Sequence, residues 1–190
     1  MRGMGRVIPF EERAVATLRD RLGAAESARE DLIAFARGHS GATASIHAAV
    51  LALMDANSLD GLFDVVTKRW PFILGLDEAA LALVAEGRGF LVHSDAVRKV
   101  ERQLIDRAIE GADPITMRTV GRGHPLFGKA AADVRSEALI LMPARAPLPY
   151  GILLLGQKAE TGLDAAHGAQ LLGFLGDSLG AMMRRWLIDR

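Results

Sequence analysis

The segment of this chain whose residue types come nearest to chemistry is Gly123-His-Pro-Leu-Phe-Gly128-Lys129-Ala130. Its spacing satisfies G-x-x-x-x-G-K, in which a glycine loop cradles phosphates and a lysine ammonium reaches them. Two residues argue against that use. Ala130 stands where a Ser or Thr hydroxyl must hold magnesium, and Pro125 removes a backbone donor from the loop. The segment is therefore expected to be structural, with Pro125, Leu126 and Phe127 plugging the space under a sheet and Gly121, Gly123 and Gly128 permitting the bends.

Other reactive side chains do not assemble by spacing. The five histidines, His39, His47, His93, His124 and His167, include no i, i+3 or i, i+4 pair of the kind that helical metal sites use. No G-x-S-x-G elbow occurs, and neither Ser94 nor Ser136 has an identifiable base partner. Glu11, Glu12, Asp20, Glu26, Glu30 and Asp31 interleave with arginines as on a solvated helix face. Arg184-Arg185-Trp186 looks like a basic aromatic patch, but cations at a helix C-terminus also oppose the negative end of its dipole. The chain is accordingly expected to be no enzyme, to hold no metal and to make no direct contact with nucleic acid.

The elements that must position these residues follow from periodicity. From Phe10 to Ala36 apolar residues recur every three or four positions at Val15, Leu18, Leu22, Ala25, Leu32 and Ala36, interrupted at Arg29, which predicts a helix with a heptad seam. Counting on past Gly38 and Gly41 returns Ile46, Val50 and Leu53 to the same seam. The two glycines cost a helix about 2 kcal/mol, so one kinked helix or two in near register are expected, ending near Asn57. So narrow a stripe must lie against its own domain or against a second copy. Ser58 or Asn57 caps a further helix that Pro71 is expected to end just after Trp70. Ala79–Ala85, a Glu86–Gly89 turn and Phe90–His93 read as a hairpin. Asp95 is expected to cap a helix carrying Val97, Val100, Leu104, Ile105, Ala108 and Ile109. Ile115–Val120 alternates as a half-buried strand, whereas Glu137–Met142 and Tyr150–Gly156 are apolar on both faces, as strands covered on each side are. Asp164 is expected to cap a C-terminal helix with a stripe of Leu172, Leu175, Leu179, Met182 and Trp186.

Composition bounds what such a chain does. It has 190 residues, half of them hydrophobic, enough for one sizeable core with an appendage. Lysine plus arginine number 23, as do aspartate plus glutamate, so net charge steers the chain toward neither nucleic acid nor an anionic membrane. The absence of cysteine excludes thiolate chemistry and suits a reducing compartment. With no apolar signal region and no run of about 20 apolar residues, a soluble, cytoplasmic, non-membrane protein is expected.

Four pieces, in this order, carry a family resemblance: the junction Leu53-Met-Asp-Ala-Asn-Ser-Leu59; the loop Pro125-Leu-Phe-Gly128; the run Gly151-Ile-Leu-Leu-Leu-Gly156; and the helix entry Gly168-Ala-Gln-Leu-Leu-Gly-Phe-Leu175. The chain resembles, from about Leu18 to Leu187, a bacterial family of GAF-like proteins of unknown function. That family commonly has serine and phenylalanine where this chain has Gln157 and Leu163. The resemblance implies an α+β fold with a central antiparallel sheet of about five or six strands. Residues 1–57 would be a helical, coiled-coil-like segment and residues 58–190 the GAF-like domain. The terminal helices would pack on one face of the sheet. The other is the face on which GAF-like domains hold small ligands, and Phe90, His93, Arg118, His124, Leu126 and Phe127 are the expected contacts there. No cofactor is predicted beyond an unidentified small molecule. The implied role is a regulatory or sensory module, homodimeric through a seam of Val15, Leu18, Leu22, Leu32, Ile46, Val50 and Leu53. The alternative is an adaptor acting through a protein partner. Because members of the family are often encoded near a tyrosine recombinase, a DNA-processing partner is conceivable.

Overall fold

The computed structural model describes residues 10–94, 96–143, 150–160 and 165–188. The chain divides into two units, Met1–Ala42 and Thr43–Arg190. In the first, helix α1 (Phe10–Met54) begins, and it continues through Gly38 and Gly41 as one helix. No atom comes within 4 Å of where a Cβ would sit on either glycine, so packing does not require them. Every residue from Arg19 to Glu30 is exposed, Leu22 among them. The side chains of Val15, Leu18 and Leu32 lie outside the described residues.

The second unit starts inside α1, ahead of the boundary expected at Asn57. Its part of α1 buries Ile46, Ala49, Ala52 and Leu53 in the unit's own core, with Val50 packed against them. The seam assignment is corrected for Ile46 and Leu53, which are buried in their own domain's core; Val50 is half-buried against the same core. Ser58 caps α2 (Leu59–Asp64), its Oγ accepting from the Gly61 N–H at 3.0 Å. Pro71 does not end the helical path as expected. The backbone widens into a π turn over Val65–Arg69, and Pro71 falls in the first turn of α3 (Trp70–Leu74), where a missing N–H costs nothing. Trp70 is fully buried, and its indole N–H donates to the Ala49 carbonyl at 3.1 Å.

Six strands follow: β1 (Glu78–Ala85), β2 (Arg88–Val92), β3 (Val97–Val100), β4 (Ile115–Thr119), β5 (Ser136–Met142) and β6 (Tyr150–Gln157). They form one antiparallel sheet in the order β3-β2-β1-β6-β5-β4. The helix expected from Asp95 begins later. Val97–Val100 pairs with β2 as an edge strand, and α4 covers only Arg102–Ile109. Valine at both ends favours the extended strand, and Arg98 and Lys99 put charge on an edge that would otherwise invite pairing. The expected caps Asp95 and Asp164 lie outside the described residues.

Alternation sorts the sheet into two faces. Ala79, Leu81 and Leu83 of β1 join Ala138, Ile140, Leu153 and Leu155 on the face covered by α1, α2, the π turn and α5 (Ala165–Ile188). Ala80, Ala82, Val84, Leu91, Leu139, Ile152 and Leu154 occupy the other face, under Ile105 of α4 and under Leu126, Phe127 and Ala131 of a 3₁₀ segment, Pro125–Ala132. At the sheet centre β6 lies so close to β1 that a Cβ on Gly151 would stand 2.0 Å from the Ala82 carbonyl oxygen. The fold is α+β, with the terminal helices on one side of the sheet and short segments on the other.

Candidate functional site

The loop between β4 and the 3₁₀ segment is held by one buried acid. Arg118 and Glu137 are paired across β4 and β5, so both side chains rise from the same face. The Glu137 side chain is 0% exposed. Its Oε1 accepts from Arg118 Nε at 2.8 Å and Nη2 at 2.7 Å, and its Oε2 accepts from the backbone N–H of His124 at 2.7 Å. His124 in turn caps the 3₁₀ segment, its Nδ1 accepting from the Leu126 N–H at 3.2 Å. Burial pushes the His124 pKa down; Glu137 opposes that and Arg118 adds to it. The neutral ring that burial favours is the form whose Nδ1 can accept.

Beside this clamp, the sheet and the 3₁₀ segment leave a groove of about 320 Å³. Glu78 of β1, Leu91 of β2 and Arg98 of β3 line it from the sheet, His93 and Ser94 from the turn after β2, and Phe127, Gly128, Lys129 and Ala130 from the 3₁₀ segment. Gly128 sits at φ 61°, ψ −127°, a backbone conformation that favours glycine, and kinks the segment just before Lys129. The Gly-Lys pair thus lies within a kinked 3₁₀ segment, not at the strand-to-helix junction that a phosphate loop needs. His93 also borders a second groove of about 150 Å³ with Asp60, Thr67 and Lys68. Its Nε2 is buried without a hydrogen-bond partner among the described residues.

Of the six residues expected to contact a ligand, the structure brings His93 and Phe127 to the groove. Phe90 is corrected to the opposite face: it pairs with Leu83, whose side chain joins the helix-side core, and its odd offset from His93 requires this. Arg118 and His124 are committed to Glu137 and the 3₁₀ cap. Leu126 is fully buried beneath them. Sequence reasoning missed Glu78, Leu91, Ser94 and Arg98 as lining residues, and it missed Glu137. The signal for one of them was parity, since Glu78 shares the alternation of Ala80, Ala82 and Val84. Lys129 drew attention only through the phosphate-loop pattern.

Elsewhere the polar clusters have structural partners. The Tyr150 hydroxyl donates to Asp106 Oδ1 at 2.7 Å, and Arg102 pairs with Asp106 at 3.1 Å, tying α4 to β6. Against α5, Gly173 and Gly176 let the helix approach Ile115 and Ile140, leaving an apolar crevice of about 220 Å³. Among the described residues no three His, Asp or Glu side chains gather within reach of one metal ion, and no helix is long and apolar enough to cross a membrane.

The fold is shared with photosensory domains. The chromophore-binding domain of an unusual bacteriophytochrome from R. palustris superposes with a TM-score of 0.52 at 11% identity, covering 77% of this chain and 62% of that one. A far-red-absorbing dark-state protein with bound biliverdin IXα gives 0.54 at 14% identity, covering 75% and 98%. The photosensory core module of the Stigmatella aurantiaca phytochrome gives 0.52 at 14% identity, covering 74% and 36%, so this chain spans about a third of that protein. At these identities the likeness establishes the GAF-like fold alone. No curated protein matches the chain in sequence. A family model does, over residues 3–188, and the chain belongs to that family, described as a protein of unknown function, DUF484.

Proposed function

We propose that this chain is a non-catalytic regulatory or sensory module that binds a small molecule in the groove over Leu91 and Ala130. The observation that carries the reading is the groove's make-up: an apolar floor and a charged rim, on the sheet face opposite the terminal helices. Structures of like fold include chromophore-binding domains, one holding biliverdin IXα. Here Ile105, Leu126 and Phe127 fill the space beneath the 3₁₀ segment, and the groove that remains is smaller than an open-chain tetrapyrrole. The ligand on this reading is a smaller molecule. Native mass spectrometry of the freshly purified chain tests it: a retained small-molecule mass is the expected result, and a clean apo mass with no thermal shift from any metabolite refutes it.

The same reading makes the protein a homodimer through the first part of α1. Arg19–Glu30 is exposed throughout, and an isolated helix of this kind gains little stability without a covering partner. Leu22, 60% exposed, and Ala25, also exposed, are the stripe residues there whose side chains are described. Sedimentation giving a monomer at high micromolar concentration refutes the dimer. An adaptor role is the second reading, favoured by Phe72 of α3, which is 91% exposed. A clean apo mass together with a co-purifying protein lost on Phe72→Ala supports the adaptor.

A further inference from the structure

Two oppositely charged side chains line the groove without satisfaction. Glu78 is half-buried at the start of β1, and Lys129 lies exposed just beyond the Gly128 kink. Neither side chain has an ion-pair or hydrogen-bond partner among the described residues, whereas Arg98 on the same rim is already engaged. Glu78 and Lys129 are also not paired with each other, so they stand more than 4.0 Å apart across one volume.

A ligand seated between them displaces water from half-buried Glu78 and part of the water around Lys129. A simple anion answers Lys129 but leaves the Glu78 carboxylate desolvated beside a like charge. A simple cation does the reverse, and a neutral apolar molecule leaves both charges unanswered. Each case leaves a partly desolvated charge without a counter-ion, which costs free energy. A molecule carrying both charges at one end and an apolar group at the other answers both ions and also covers what Leu91 and Ala130 leave open. The volume, near the lower end of the roughly 300–1,000 Å³ typical of small-molecule sites, suits a compact ligand.

We propose that the groove binds a free amino acid with an apolar side chain: its α-carboxylate meets the Lys129 ammonium, its α-ammonium meets the Glu78 carboxylate, and its side chain lies over Leu91 and Ala130. This rests on the groove being a ligand site, and the test separates the two ideas. Calorimetric titrations of the full chain use L-leucine, its deamino analogue 4-methylpentanoate and its decarboxy analogue 3-methylbutylamine. L-leucine is expected to bind at least about tenfold more tightly than either analogue, the ratio that one charge-assisted hydrogen bond gives. Glu78→Gln should weaken L-leucine by a similar factor without weakening 4-methylpentanoate, and Lys129→Met should weaken both but not 3-methylbutylamine. Both positions are on the rim, and circular dichroism checks that the variants fold. If 4-methylpentanoate binds as tightly as L-leucine and ignores Glu78→Gln, the amino-acid assignment is overturned while the groove remains a ligand site. If no probe binds but the purified chain retains another small molecule, the assignment again fails alone. If no probe binds and the mass is clean, both ideas fall together.

Discussion

Glu137→Gln changes one carboxylate oxygen to an amide nitrogen, and the geometry fixes what that costs. Both oxygens of Glu137 accept: Oε1 takes two guanidinium donors of Arg118, and Oε2 takes the His124 N–H. An amide has one acceptor oxygen. Its NH₂ must therefore face either the Arg118 fork or the His124 N–H, donor against donor, inside a site where the side chain has no access to water. Losing one charge-assisted hydrogen bond costs about 1.5–3 kcal/mol. Arg118 is half-exposed and recovers part of its share from solvent, so about 2 kcal/mol is expected for the chain. For a protein of this size that lowers Tm by roughly 4–8 °C. Urea unfolding followed by tryptophan fluorescence measures it, because Trp70 is buried in the same unit. The change should appear as a lower midpoint at unchanged slope. Glu137→Gln combined with Arg118→Ala should cost less than the sum of the two single variants, since they share one contact. Hydrogen exchange at the His124 amide should rise in Glu137→Gln. A midpoint within about 0.5 kcal/mol of the parent, with the His124 amide still protected, would refute the clamp.

Three further outcomes follow from other contacts. With the His124 pKa lowered in the folded chain, mainly by burial, the unfolded chain takes up the proton first. Stability is therefore whole above the unfolded value of about 6.5 and falls as pH drops below it; His124→Ala should flatten that part of the urea-midpoint profile and remove about 1 kcal/mol of cap energy. Gly38→Ala and Gly41→Ala, with open space at both Cβ positions, should each strengthen α1 by about 1 kcal/mol and raise the helical circular dichroism signal; no gain would mean that α1 is not helical there in solution. Gly151→Ala forces a methyl onto the Ala82 carbonyl and should cost about 3 kcal/mol in urea unfolding, against less than about 0.5 kcal/mol for an exposed control such as Ala132→Ser.

The layers of this fold were legible wherever a local period decides them. The apolar runs Glu137–Met142 and Tyr150–Gly156 read as strands covered on both sides and Ala79–Ala85 as the first strand of a hairpin, and they are. Val97–Val100 was misread because four residues carry too little period to separate a charged edge strand from the start of the helix beside it. Pro71 was read as a stop because the rule for a helix interior does not foresee a π turn that moves the proline into a first turn. The site was harder to read for a different reason. Phe90 could have been excluded by parity alone, but Glu137 becomes a buried anchor only once Arg118, nineteen residues earlier, lies opposite it. Lys129 and Glu78 share a groove only after the chain has passed through β2, β3, α4, β4 and the 3₁₀ segment. No local pattern encodes that meeting.

The pairing of β1 with β6 at the sheet centre sets an order of events for a chain made from its N-terminus. On the side of β1 away from β2, Glu78 to Val84 meet their partners only in Tyr150 to Gly156, so that long edge stays open while everything between is synthesised. Closing so large a loop makes folding slow compared with a helical bundle. Until then the Ala79–Val84 run is an apolar strand edge available to another molecule. Nascent or truncated chains that stop short of Tyr150 are thus the forms most prone to aggregate, and arrest or proteolysis within the last quarter of the sequence should be far more damaging than the loss of α1's first turns.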